Sequence, residues 1–150
     1  MMQKEEVQDD KTVNDKLEEL LNRDKTKWMS DIKALISDIR DIRKLADCQV
    51  TMLSYRQMLL DKVTDMRAMI YKRNLVWDRH YKQRYRDYCI NYDIKLNQTE
   101  RNSFIDADMG EFKLQLKMLE SHVTFYQDCI KTLDNMGFAI RNRIRLEDEE

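Results

Sequence analysis

Residues 105–145 read IDADMGEFKLQLKMLESHVTFYQDCIKTLDNMGFAIRNRIR. Within this stretch Ile105, Met109, Phe112, Leu116, Leu119, Val123, Tyr126, Ile130, Leu133, Gly137, Ile140 and Ile144 recur at alternating steps of four and three. An α-helix turns once in about 3.6 residues, so this spacing lines all of them along one seam, the heptad pattern of coiled-coil packing. A second row, Leu114, Met118, Phe125, Cys129, Met136 and Ala139, lies beside it. A helix with two adjacent apolar rows can touch two neighbours at once. That suits a multi-helix bundle or a ring of subunits better than a two-stranded coil. Gly137 falls on the seam, where a bare backbone permits close approach or a kink at a helix cost of about 1 kcal/mol relative to alanine.

The rest of the chain supports the same fold class. Of 150 residues none is proline and two are glycine, Gly110 and Gly137. With so few helix breakers, long helices are expected and strands joined by tight turns are hard to build. Charged residues make up 37% and the mean hydropathy is −0.77, which leaves a narrow apolar stripe per helix rather than a thick core. Upstream, Trp28, Ile32, Leu35, Ile39, Ile42 and Ala46 step by three or four, and Leu59, Val63, Met66, Ile70 and Trp77 follow. The pattern weakens at DIKLNQTERNS (93–103), read as a turn or loop, with Thr99 or Ser103 as the cap of the next helix. The expectation is an all-α, elongated subunit of three or four helices. It divides into a flexible acidic N-terminus at 1–16, one helical domain at 17–146 and an acidic tail at 147–150.

Three cysteines, Cys48, Cys89 and Cys129, stand alone, without zinc-like spacing and apart from His80 and His122. A reduced, intracellular protein is the simple reading. No apolar run approaches the ~20 residues that span a bilayer, and MMQKEEVQDDK has no signal-peptide pattern. Catalysis finds little support. The phosphate loop G-x-x-x-x-G-K-[ST] is missing, and no nucleophile sits in a recognisable context. Asp106 and Asp108 lack the further acids of a calcium loop and read as acids at a helix N-terminus. Neither a metal nor a cofactor is called for.

Charge is distributed unevenly. The chain carries net −1, yet residues 56–86 hold nine basic and three acidic groups. Between Arg67 and Arg86 the one acid is Asp78. On a helix Lys72, Arg79, Lys82 and Arg86 form a stripe, with Arg73 and Arg84 flanking it. Such a stripe suits nucleic acid, since cations neutralise phosphates and release counterions. Charge alone leaves open single strands, duplex, RNA or an acidic protein. Tyr81, Tyr85, Tyr88 and Tyr92 make a stripe of their own, which reads mainly as helix packing because it continues the apolar seam from Leu59. A second basic cluster, Arg141, Arg143 and Arg145, precedes four terminal acids, Glu147 to Glu150. Those acids read as a disordered tail, as a decoy competing with nucleic acid for the basic stripe, or as a contact for a basic partner.

GFAIRNRI (137–144), preceded by the cysteine-bearing helix VTFYQDCIKTL, resembles the C-terminal end of the phage recombination mediator UvsY family. TERNSFIDAD (99–108) is similar to the family's short stretch before its last long helix, and SYRQMLLDK (54–62) to its tyrosine-led helix entering a basic segment. The likeness runs from about Leu17 to Ile144 with short gaps. It implies a helical protein that forms a ring-like homo-oligomer, a heptamer, in the cytoplasm of an infected bacterial host. It further implies binding of single-stranded DNA and loading of the phage recombinase onto strands covered by single-strand-binding protein. The family's K-x-R element is matched by Lys82 and Arg84. The chain departs from the family in having NYDIKLN in place of a glycine-rich loop, a longer N-terminus and the acidic tail. The expected DNA-binding residues are thus Lys72, Arg73, Arg79, Lys82, Arg84 and Arg86. Phe112, Leu116, Leu119, Val123, Tyr126, Ile130, Leu133, Gly137, Phe138 and Ile140, on a helix over 104–145, are expected to join subunits. The competing expectation is a coiled-coil scaffold whose basic helix meets an acidic protein.

Overall fold

A computed structural model describes residues 12–148. They form four α-helices, α1 (Val13–Asp38), α2 (Leu45–Cys89), α3 (Gln98–Asp108) and α4 (Gly110–Asp148), with a 3-10 turn (Ile42–Lys44) between α1 and α2. Among the described residues there is no strand, as the composition predicts. Most of the expected flexible N-terminus, 1–11, and the last two residues of the acidic tail lie outside the described residues. Inside them, α1 starts at Val13 rather than near Leu17. A reciprocal cap explains the early start: Thr12 Oγ1 accepts from Asp15 N at 3.1 Å, and Thr12 N donates to the Asp15 carboxylate at 3.3 Å. Glu147 and Asp148 continue α4 as helix.

Where one helical domain is expected, contacts divide the chain into two units, residues 12–18 with 67–120 and residues 19–66 with 121–148. α2 is 45 residues long, and its two halves have different neighbours.

In the unit of 19–66 and 121–148, α1 supplies Trp28, Ile32 and Leu35 to the core. α2 supplies Leu45, Cys48, Met52, Leu59 and Val63, and α4 supplies Val123, Tyr126, Cys129, Leu133, Met136 and Ile140. The ring of Trp28 meets Tyr55 edge-on at 5.6 Å. α4 touches both other helices, as two adjacent rows predict, but the second row is not the expected one. Its buried positions are His122, Cys129 and Met136, while Ala139 is exposed and Phe125 half-buried. Gly137 gives close approach rather than a kink. A Cβ there would stand 3.2 Å from the Sδ and Cε of Met52.

The spacing of Trp28 to Ala46 hides a break. α1 ends at Asp38, and Asp41 caps the 3-10 turn by accepting from Arg43 N at 3.0 Å. The carbonyls of Ile39 and Arg40, just beyond the end of α1, accept from the guanidinium of Arg143 at 2.8 and 3.0 Å. A side chain over a hundred residues away thus meets the carbonyls that a helix end leaves without partners.

In the unit of 12–18 and 67–120 the buried apolar side chains are Leu96, Ile105, Met109, Leu116 and Leu119. α3 begins earlier than expected because Asn97, not Thr99 or Ser103, is its cap, accepting from Glu100 N at 2.8 Å. Asp106 and Asp108 therefore close α3 instead of opening a helix. Only Met109 separates α3 from α4, and its amide still reaches the Ile105 carbonyl at 2.9 Å. The seam consequently passes through the junction, with Ile105 and Met109 both buried.

Candidate nucleic-acid interface

The basic half of α2 lies in the unit of 12–18 and 67–120, and it contributes no fully buried side chain beyond Val63. Lys72, Arg73, Arg79, Lys82, Arg84 and Arg86 are all exposed. Arg84 stands 4.0 Å from the carboxylate of Asp87. Lys72, Arg73, Arg79, Lys82 and Arg86 make no ion pair or side-chain hydrogen bond to the described residues. At about 100° per residue, Lys72, Arg79, Lys82 and Arg86 share one side of α2 over some 21 Å of helix. Arg84 does not belong to that side, because positions two apart on a helix face away from each other. It lines instead a cleft of about 390 Å³ with His80, Asp108, Glu111 and Phe112. Lys82 and Arg84, the expected K-x-R pair, are thus on opposite sides of α2.

The same cleft shows how α2 is held. Trp77 and His80 face Phe112 of α4 at ring distances of 5.5 and 6.1 Å. Asn14, buried at the start of α1, donates to both the carbonyl and the carboxylate of Glu111 at 2.8 Å. The tyrosine stripe is divided in its role. Tyr81 and Tyr88 are half-buried, whereas Tyr85 and Tyr92 are exposed. Tyr88 stacks on Phe104 of α3 and donates its hydroxyl to Asp108, whose carboxylate pushes the phenol above its ordinary value.

Arg101 and Phe104 of α3 lie against Tyr85 and Tyr88 but were missed in the sequence, where 93–103 reads as a loop. The signal was there. Arg101 and Phe104 are spaced i, i+3, which puts both on one face of a helix. The second basic cluster is already engaged: Arg143 holds the end of α1, and Arg141 lies over the ring of Phe138 at 4.8 Å.

The residues expected to join subunits mostly pack within their own chain. Leu116, Leu119, Val123, Tyr126, Leu133, Gly137 and Ile140 are buried, and Phe112 and Ile130 are half-buried. Phe138 is different, at 60% exposed. With Leu53, Met52 and Gly137 it borders a groove of about 410 Å³ on the α2–α4 face of its unit.

A buried polar cluster was also not legible beforehand. His122, 1% exposed, places Nε2 at 2.8 Å from the carboxylate of Asp24, and Tyr126 donates its hydroxyl to the same oxygen. Burial opposes ionisation of Asp24, but the two hydrogen bonds and the charge of Lys62 outweigh it and hold the carboxyl below its ordinary value. Burial and the same carboxylate push the Tyr126 phenol strongly up. Burial likewise raises the thiols of Cys48 and Cys129, which disfavours the reactive thiolate. Among the described residues no group of three or more metal-ligating side chains converges, and no helix is long and apolar enough to cross a membrane. No family model, curated protein or solved structure matches the chain.

Proposed function

We propose that the chain binds single-stranded DNA on the basic side of α2 and acts, without catalysis, as a recombination mediator. The observation that carries this reading is the stripe of Lys72, Arg79, Lys82 and Arg86, exposed along one side of a helix with no acid among the described residues paired to it. A chain of net charge −1 that gathers four exposed cations on one side of a helix retains a field suited to a polyanion. The mediator role comes from the resemblance of GFAIRNRI and TERNSFIDAD to the UvsY family. In this role the protein displaces single-strand-binding protein and presents the strand to a phage recombinase, in the cytoplasm of the infected host. Assembly into a ring, a heptamer, multiplies modest sites by avidity. Because the heptad seam is used inside the chain, self-association falls to surfaces still exposed, such as Phe138 and Leu53 beside the α2–α4 groove.

A second reading, a scaffold that docks an acidic protein, is favoured by Tyr71 and Leu75. They stand 66% and 48% exposed beside the cations, and apolar side chains among like charges suit a protein surface. Fluorescence anisotropy of a labelled thymidine oligonucleotide across a salt series separates the two. Single-strand affinity falls with a log–log slope of roughly −0.7 per phosphate neutralised. Arg79, Lys82 and Arg86 changed together to alanine weaken binding and flatten the slope by about two. No binding at low salt, or binding indifferent to salt, rejects the DNA reading.

A further inference from the structure

We infer that Tyr85, Tyr92 and Phe104, with Arg101, form a platform that receives the unpaired bases of a single strand whose phosphates lie on the cation stripe; this rests on the single-strand reading above. Three large rings lie open: Tyr85 is 44%, Tyr92 43% and Phe104 42% exposed. Two of them, Tyr92 and Phe104, are nonetheless fixed from behind. Tyr88 stacks on Phe104 with centroids 5.6 Å apart and planes 18° from parallel, and it lies 5.4 Å from Tyr92. The bond from its hydroxyl to Asp108 ties this backing ring to the end of α3. Tyr92 and Phe104 thus present edges and faces whose geometry is set before any ligand arrives.

Arg101 adds a cation at the border. Its guanidinium lies 5.7 Å over the ring of Tyr85, and it donates to Cys89 Sγ at 3.3 Å. Its Nε is buried without an acceptor, and no carboxylate among the described residues pairs with it. Lys82 and Arg86 of the stripe are within one turn of Tyr85 on α2, so phosphate-binding and ring-bearing surfaces adjoin. A nucleotide matches both, with a π-face for the rings and a negative charge for Arg101 and Lys82. A duplex offers little to such a platform because its bases are already stacked on one another. The rings therefore confer preference for single strands, which the cations alone cannot.

The test compares three labelled oligonucleotides of equal length by anisotropy at fixed salt: oligo-dT, an abasic single strand and a duplex. The parent chain is expected to bind oligo-dT about tenfold or more tighter than the abasic strand. Tyr85→Leu, Tyr92→Leu and Phe104→Leu together should remove that preference while leaving abasic affinity and its salt slope unchanged. A parent chain that treats oligo-dT and the abasic strand alike, or a variant that keeps the preference, overturns the platform and leaves the cation stripe standing. Failure to bind either strand at low salt removes the single-strand reading and the platform with it. Photo-crosslinking of 5-iodouracil strands to the parent chain guards against a misfolded variant. Adducts at Tyr85, Tyr92 or Phe104 support the platform, and adducts confined to other residues reject it.

Discussion

The unit of residues 19–66 and 121–148 buries fourteen apolar side chains, and the unit of 12–18 and 67–120 buries five. Both draw on α2, so helix propensity does not separate them. The difference lies in what the neighbours offer. In the first unit α1, α2 and α4 close on one another through Trp28, Leu59, Leu133 and Ile140. In the second, α2 turns aromatic and basic, and its rings rest half-covered against α3 and the start of α4. Burial drives folding, and a segment that buries few apolar side chains is expected to be locally less stable.

The largest expected effect follows from that contrast. Leu133 is fully buried among three helices, so Leu133→Ala should cost about 3–5 kcal/mol by denaturant unfolding. Hydrogen exchange within α2 sharpens the comparison with one helix as its own control. Amides of 67–89 should exchange faster than those of 45–63, because few buried side chains hold them. Equal protection along α2 would mean that the two units open together, and the contrast in burial would have no dynamic counterpart.

A smaller effect concerns the polar cluster of the better-packed unit. Asp24 is 25% exposed and accepts from both His122 and Tyr126. Its carboxyl titrates below the ordinary value of 3.8, so the folded state binds its proton less readily than the unfolded chain. The resulting stability is fully present above that value and is lost as pH falls through the lower, folded one. Asp24→Asn keeps an acceptor but removes the charge, and should cost about 1–2 kcal/mol at neutral pH. Parent and variant stabilities should converge under acid titration below about pH 4. A gap that widens in acid would show that the carboxylate is not the ionised acceptor of this cluster.

How far the sequence reveals these two units depends on the range of the interactions. The seam of α4 is legible because burial along a helix repeats locally, and Ile105 to Ile140 keep the repeat even across Met109. The basic stripe is legible because charge needs no partner to be counted. The break at residues 39–44 is hidden: apolar spacing continues through it without glycine or proline, and the side chain that meets its carbonyls, Arg143, is remote in sequence. His122 can be buried because Asp24, nearly a hundred residues away, satisfies it. The setting of Phe104 was hidden for a related reason. DIKLNQTERNS reads as loop until Asn97 caps α3 and sets Phe104 against Tyr88.

The two glycines offer the smallest test, one in each unit. An added Cβ at Gly110 meets nothing within 4 Å, whereas at Gly137 it meets the Sδ and Cε of Met52 at 3.2 Å. Alanine in a helix interior gains about 1 kcal/mol over glycine. Against this stands a contact tighter than ordinary van der Waals distance, but with the far end of an adaptable side chain. Met52 can yield by a few tenths of an ångström, so Gly137→Ala should fall within about 1 kcal/mol of neutral, on the stabilising side. Gly137→Leu leaves no such room and should destabilise by more than 1 kcal/mol as α2 is pushed from α4. Repeating Gly137→Ala in a Met52→Ala chain isolates the contact: with the sulfur gone, the full helix gain should appear in the denaturant midpoint. If alanine destabilises in both backgrounds, Met52 is not what holds this position to glycine. The close approach of α2 and α4 would then rest on backbone geometry alone.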